Sequence, residues 1–129
     1  GDSSDQQNGW VLTTETNNTL YFYGSDNGGW DVVLGGAHTP TANSWHHIAV
    51  TRSGTTFRLF VNGAQVNTTT SSANITLPTS REFRLGSYRY IPGNPQSFNG
   101  FIQDFRMYIG AAKYTTNFTP PTAMFTGST

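Results

Sequence analysis

The chain contains no cysteine. Disulfides and thiolate metal sites are therefore excluded, and the core must be closed by packing, by neighbouring chains or by an oxygen-ligated ion. Charge is scarce as well: seven basic and seven acidic residues balance in a chain of 129, and only 11% of positions are charged. Without a surplus of Lys and Arg there is no drive for non-specific nucleic-acid binding, which depends on neutralising phosphates. A net charge of zero also removes one guard against self-association. No run approaches the roughly 18 apolar residues that a membrane-spanning helix needs. No signal peptide is visible, so the residues read as a mature or excised product. What is abundant is Thr, which favours strands, with Ser, Asn and Gly, which favour turns. The length suits one domain, and a neutral surface rich in hydroxyl and amide groups fits an extracellular or virion setting.

Short strands are predicted along most of the chain. Residues 1–9 are polar. Strands follow at Trp10 to Thr14, at Thr19 to Gly24 after an Asn17-Asn18 turn, and at Trp30 to Leu34 after the turn from Ser25 to Gly29. A polar loop over 37–44 leads to the clearest element, a hairpin of Trp45 to Arg52 and Phe57 to Val61 around Ser53-Gly54-Thr55. Phe57, Leu59 and Val61 share one face, and Arg58 and Phe60 the other. Asn62-Gly63 is the best hairpin turn, because both residues tolerate positive φ. Ala64 to Asn67 returns from it, with Ile75 and Leu77 as satellite core residues. Arg81 to Ser87 reads as a strand with Phe83 and Leu85 inward, Tyr88 to Ser97 as a loop, and Phe98 to Tyr108 as a closing strand with Phe101, Gln103, Phe105, Met107 and Ile109 on one face. Gly110 to Tyr114 reads as a short helical turn. Many short strands with Gly, Asn and Pro turns and no long helix predict an all-β antiparallel sandwich or jelly roll.

Chemistry-bearing residues are few. His46 and His47 are adjacent in a predicted strand, point to opposite faces and so cannot share a metal, while His38 lies in a loop; all read as framework. Hydrolysis of glycans needs two carboxylates across a cleft, and the only glutamates are Glu15 and Glu82; no enzyme is expected. Asp26, Asn27 and Asp31 surround a Gly-rich turn and could offer oxygen ligands to calcium. Sugar sites pair an aromatic platform with amide, hydroxyl and charged groups. Tyr88, Arg89 and Tyr90 with Asn94 and Gln96 make one such set, and Trp30 with Asp26, Asn27 and Asp31 another. The tyrosine loop could equally pack on a partner chain.

Trp45-His46-His47-Ile48-Ala49-Val50-Thr51-Arg52, Leu59-Phe60-Val61-Asn62-Gly63, Phe83-Arg84-Leu85-Gly86 and Phe98-Asn99-Gly100-Phe101-Ile102-Gln103-Asp104-Phe105-Arg106-Met107-Tyr108 together resemble laminin-G-like domains of the concanavalin-A-like lectin and glucanase superfamily. The tail from Ala112 to Pro121 is similar to versions in bacteriophage and marine microbial fibre and surface proteins. The resemblance covers about residues 10 to 122. It implies a concanavalin-A-like sandwich, a framework role for Asp104, and calcium at a rim of the sandwich. Such domains usually have one or two strands before the segment that begins here at Trp10. Their lack implies a single domain (1–129) missing its first strand or strands, and so an edge to be covered by other subunits. The expected work is non-enzymatic attachment or display on a virion or cell surface, with glycans held by rim loops; the alternative is a structural module joining subunits of a capsid or fibre.

Overall fold

The computed structural model describes residues 9–26, 28–36, 38–76, 83–89 and 96–123, with backbone only for Tyr88, Arg89 and Gln96. Two three-stranded antiparallel sheets form the domain. The first has the order β1 (Gly9–Thr14), β2 (Leu20–Ser25), β3 (Val32–Gly35); the second has β4 (Ile48–Ser53), β5 (Thr56–Val61), β6 (Ala64–Thr70). A small ribbon pairs β7 (Ser87–Arg89) with β8 (Gln96–Ser97). The fold is thus all-β with two stacked sheets, as the turn and strand pattern predicts.

Alternation decides which side chains meet. Leu20, Phe22, Val32 and Leu34 leave the first sheet on one face, and Phe57, Leu59 and Val61 leave the second toward them. Trp10, Ile48, Val50, Val66 and Ile75 pack around this core. The Asn67 side-chain amide donates to the Gly35 carbonyl at 2.9 Å, tying the sheets together beside β3. Asn62 and Gly63 adopt φ of 50° and 83°, so the β5–β6 turn takes the left-handed conformations its residues favour. The same Asn62 is bracketed by His47: its amide donates to the His47 carbonyl and its Oδ1 accepts from the His47 amide, at 2.8 and 2.9 Å.

Three expectations are corrected. The predicted closing strand, Phe98 to Tyr108, has no strand pairing. Its alternation would suit a sheet, but Asp104 takes a left-handed φ of 56° and forms a local two-point pair with Arg106, which breaks the extended run. Within 83–87 pairing begins only at Ser87, after Gly86 turns at φ 78°, and Phe83 and Leu85 are exposed rather than inward. The predicted helical turn over Gly110 to Tyr114 consists of bends. Leu77 lies outside the described residues.

Candidate functional site

The two sheets present very different outer faces. On the second sheet, residues 112–121 run across the face opposite the core as a strap. Thr51 Oγ1 donates to the Tyr114 carbonyl at 2.8 Å, the Gln65 amide to Asn117 Oδ1 at 2.9 Å, and the Phe118 amide to the Gly63 carbonyl at 2.9 Å. A Cβ at Gly63 would collide with the Phe118 carbonyl, so glycine is needed there for close approach as well as for φ. Tyr114 and Phe118 stack at 3.5 Å, and both pack edge-on to Phe60, which is fully buried. His47 meets the same two rings edge-on. Burial, then the nearby Arg106, pushes its imidazole below the ordinary value, against the pull of Asp104.

The outer face of the first sheet carries aromatic rings without such a strap among the described residues. Tyr21 and Tyr23 project there from β2, since Leu20 and Phe22 point inward. Their rings are parallel, with centroids 5.5 Å apart and planes within 5°. Gly35 stands opposite Tyr21 in the ladder, and a Cβ there would collide with the Tyr21 ring; the ring lies over the glycine backbone. Trp30 adds a third ring, 5.0 Å from Tyr23. It is delivered by the turn between β2 and β3, which is closed by the Asp31 amide donating to the Gly24 carbonyl. Glu15 stands at the other side. The turn over 15–19 is fastened by two backbone bonds and by the Thr19 amide donating to Asn17 Oδ1, and Glu15 Oε1 accepts the Tyr23 hydroxyl at 3.0 Å. Burial, then Glu15, pushes the Tyr23 phenol up to about 12. The rings are half-buried, and neighbouring Val33 is exposed. A cleft of about 2370 Å3, lined mainly by β1, β4 and residues 97–114, also counts Glu15, Tyr23 and Trp30 in its walls.

Of the residues singled out in the sequence, Trp30 sits in this aromatic group. Asp26 and Asp31 brace its turn: Asp31 Oδ2 accepts from the Asp26 amide at 2.7 Å, and Asp26 Oδ2 from the Asn74 amide at 3.1 Å. Asn27 lies outside the described residues. Among the described residues no group of three or more His, Asp or Glu could hold a metal ion. Tyr88 and Arg89 fall in β7 and Gln96 in β8, at the base of the ribbon; Tyr90 and Asn94 lie outside the described residues. Sequence reasoning missed Tyr21, Tyr23 and Glu15. The available signal was Leu20-Tyr21-Phe22-Tyr23: with every residue apolar or aromatic, alternation leaves one tyrosine pair away from the core. Reasoning also separated His38 from His46, whose rings meet edge-on at 5.5 Å. His46 Nε2 lies 3.1 Å from both the amide and the carbonyl of Thr41, a framework contact.

Glycan hydrolysis calls for two carboxylates across a cleft. Glu15, the one glutamate among the described residues, is engaged with the Tyr23 hydroxyl. What the domain offers here is an aromatic surface with hydrogen-bonding groups at its margins.

Comparison with curated proteins gives no match. Among solved structures, an S-layer domain-containing protein from Clostridium thermocellum ATCC 27405 is similar, with 26% identity and a TM-score of 0.43; the match covers 82% of this chain and 53% of that one. The chain thus spans about half the length of that structure. A laminin-G-type family model described as the concanavalin A-like lectin/glucanases superfamily matches residues 2–113, and the chain belongs to that superfamily.

Proposed function

We propose that this is an attachment or display domain of an extracellular or virion surface that binds glycans, and that it does so with the outer face of the first sheet. The observation carrying this reading is the group Tyr21, Tyr23 and Trp30, ordered by Gly35 and Glu15 and, among the described residues, without a covering strap. A pyranose ring offers an apolar C–H face and a rim of hydroxyls. It suits aromatic rings bordered by hydrogen-bonding groups, here two from strand β2 and one from the braced β2–β3 turn. A glycan array with and without calcium tests this. Binding by the parent domain should be lost in Trp30→Ala and Tyr23→Ala. Unchanged array profiles in both variants would move the site elsewhere, the ribbon carrying Tyr88, Arg89 and Gln96 being the next place to look. An array affected by calcium would support the Asp26, Asn27 and Asp31 turn as an ion site.

A second reading, as a module joining other subunits, is favoured by a different observation. The trench between β1 and β4 is larger than the usual few hundred to 1,000 Å3 of a small-ligand pocket. Phe101 and Ile109, in the segment beside it, are 85% and 92% exposed. Both β1 and β4 are edge strands. Concentration-dependent association in light scattering, abolished by Phe101→Asp, would support this reading; a monomer at all concentrations would oppose it.

A further inference from the structure

The zero net charge hides a sharp asymmetry. Every Lys and Arg lies at Arg52 or beyond, whereas Asp2, Asp5, Glu15, Asp26 and Asp31 all precede it. The whole first sheet is therefore drawn from a part of the chain that contains acids and no bases. The three of these acids within the described residues meet neutral donors: Glu15 the Tyr23 hydroxyl, Asp26 the Asn74 amide, Asp31 the Asp26 amide. Among the described residues none of the three forms an ion pair, and two of them flank the rings, Glu15 bonded to Tyr23 and Asp31 next in the chain to Trp30. The aromatic faces act in the same direction, because a ring quadrupole attracts a cation held above it. Negative ligands such as uronic-acid or sulfated chains meet like charge here, with no arginine or lysine of this sheet to receive them.

We infer that the glycan held on the Tyr21, Tyr23 and Trp30 face is a cationic one, an oligosaccharide carrying free amino groups. This rests on the reading of that face as a glycan site and adds the chemical class of the sugar. The sugar rings lie on the aromatic group, and the ammonium groups lie toward Glu15 and Asp31. Surface ion pairs are individually weak, so the aromatic contact supplies the hold and the carboxylates supply the choice between amine and acetamide.

The test uses the full chain and four probes: an oligomer of β-linked glucosamine, its fully N-acetylated counterpart, an oligogalacturonate of equal length, and an oligolysine. Tryptophan fluorescence or calorimetry reads binding at low and high salt. The amine sugar should bind roughly tenfold more tightly than the acetylated one at low salt, with the ratio falling toward one as salt screens the carboxylates. Oligogalacturonate should bind least. Glu15→Gln and Asp31→Asn should each lower the amine-to-acetyl ratio. Equal binding of the amine and acetylated sugars at low salt, or tighter binding of oligogalacturonate, would overturn the inference while leaving the glycan site standing. Oligolysine binding as tightly as the amine sugar would overturn it too, since the face would then read charge alone. If no sugar binds here and the array is blank, the glycan reading itself fails.

Discussion

Phe60 and Tyr23 occupy equivalent places: each projects from the middle strand of a three-stranded antiparallel sheet, away from the shared core. Phe60 is sealed by Tyr114 and Phe118 of the strap. Tyr23 is half-buried, held by Glu15 and flanked by Tyr21 and Trp30. The same alternation thus serves two purposes. One sheet uses its second face to bury more of its own chain and gain stability. The other keeps its aromatic rings ordered and half-buried, with no strap over them among the described residues, which gains less stability.

That difference should show first in stability. Phe60→Ala empties a fully enclosed site and should cost about 3–5 kcal/mol in urea unfolding. Tyr23→Ala, on the half-buried face, should cost less, about 1–2 kcal/mol. Equal losses would mean that both faces are core and would end the distinction.

The glycines sharpen it further. Gly63→Ala forces a side chain into φ 83° and against the strap's carbonyl. It should cost on the order of 1–3 kcal/mol and weaken the strap's hold, read as faster amide exchange at Phe118. Gly35→Ala has no φ penalty but drives Tyr21 off the sheet. A cost of about 1–3 kcal/mol together with loss of glycan binding is expected, whereas Gly63→Ala should leave binding intact.

Much of this fold was legible in the residues themselves. The β4–β5–β6 meander, with Asn62-Gly63 at its turn and Phe57, Leu59 and Val61 inward, follows from local pattern and turn chemistry. The segment 98–108 was misread because alternation records only what a strand would do once paired; the left-handed Asp104 and its bond to Arg106 are not visible in a hydrophobic pattern. The site was half legible. Trp30 stood out beside a Gly-rich turn. Tyr21 and Tyr23 were read as ordinary strand residues, because their role depends on Gly35 lying opposite in the ladder, which is a matter of register. The strap is a tertiary event as well, decided by Asn117 and Phe118 finding Gln65 and Gly63.

Titration distinguishes the faces with smaller effects. His47, under the strap with Tyr114 and facing Arg106 and Asp104, is held below its ordinary 6.5. The unfolded chain then binds more protons, so this contribution is complete above 6.5 and is lost as pH falls through the folded value. The melting temperature should drop on acidification, and His47→Gln should flatten that drop. On the other face, Tyr23 titrates near 12 when folded against 10 when free, so its contribution holds below 10 and is lost as pH rises between the two. Tyr23→Phe should remove that alkaline loss at a cost of about 0.5–1.5 kcal/mol near neutral pH.

The most direct measurement is the affinity of the tightest-binding array glycan for the double variant Tyr23→Ala/Trp30→Ala and for Phe118→Ala, side by side. If the outer face of the first sheet is the binding face, the first loses binding and the second, though less stable, keeps the parent affinity. Binding that survives in the aromatic double variant and disappears with Phe118→Ala would contradict the account.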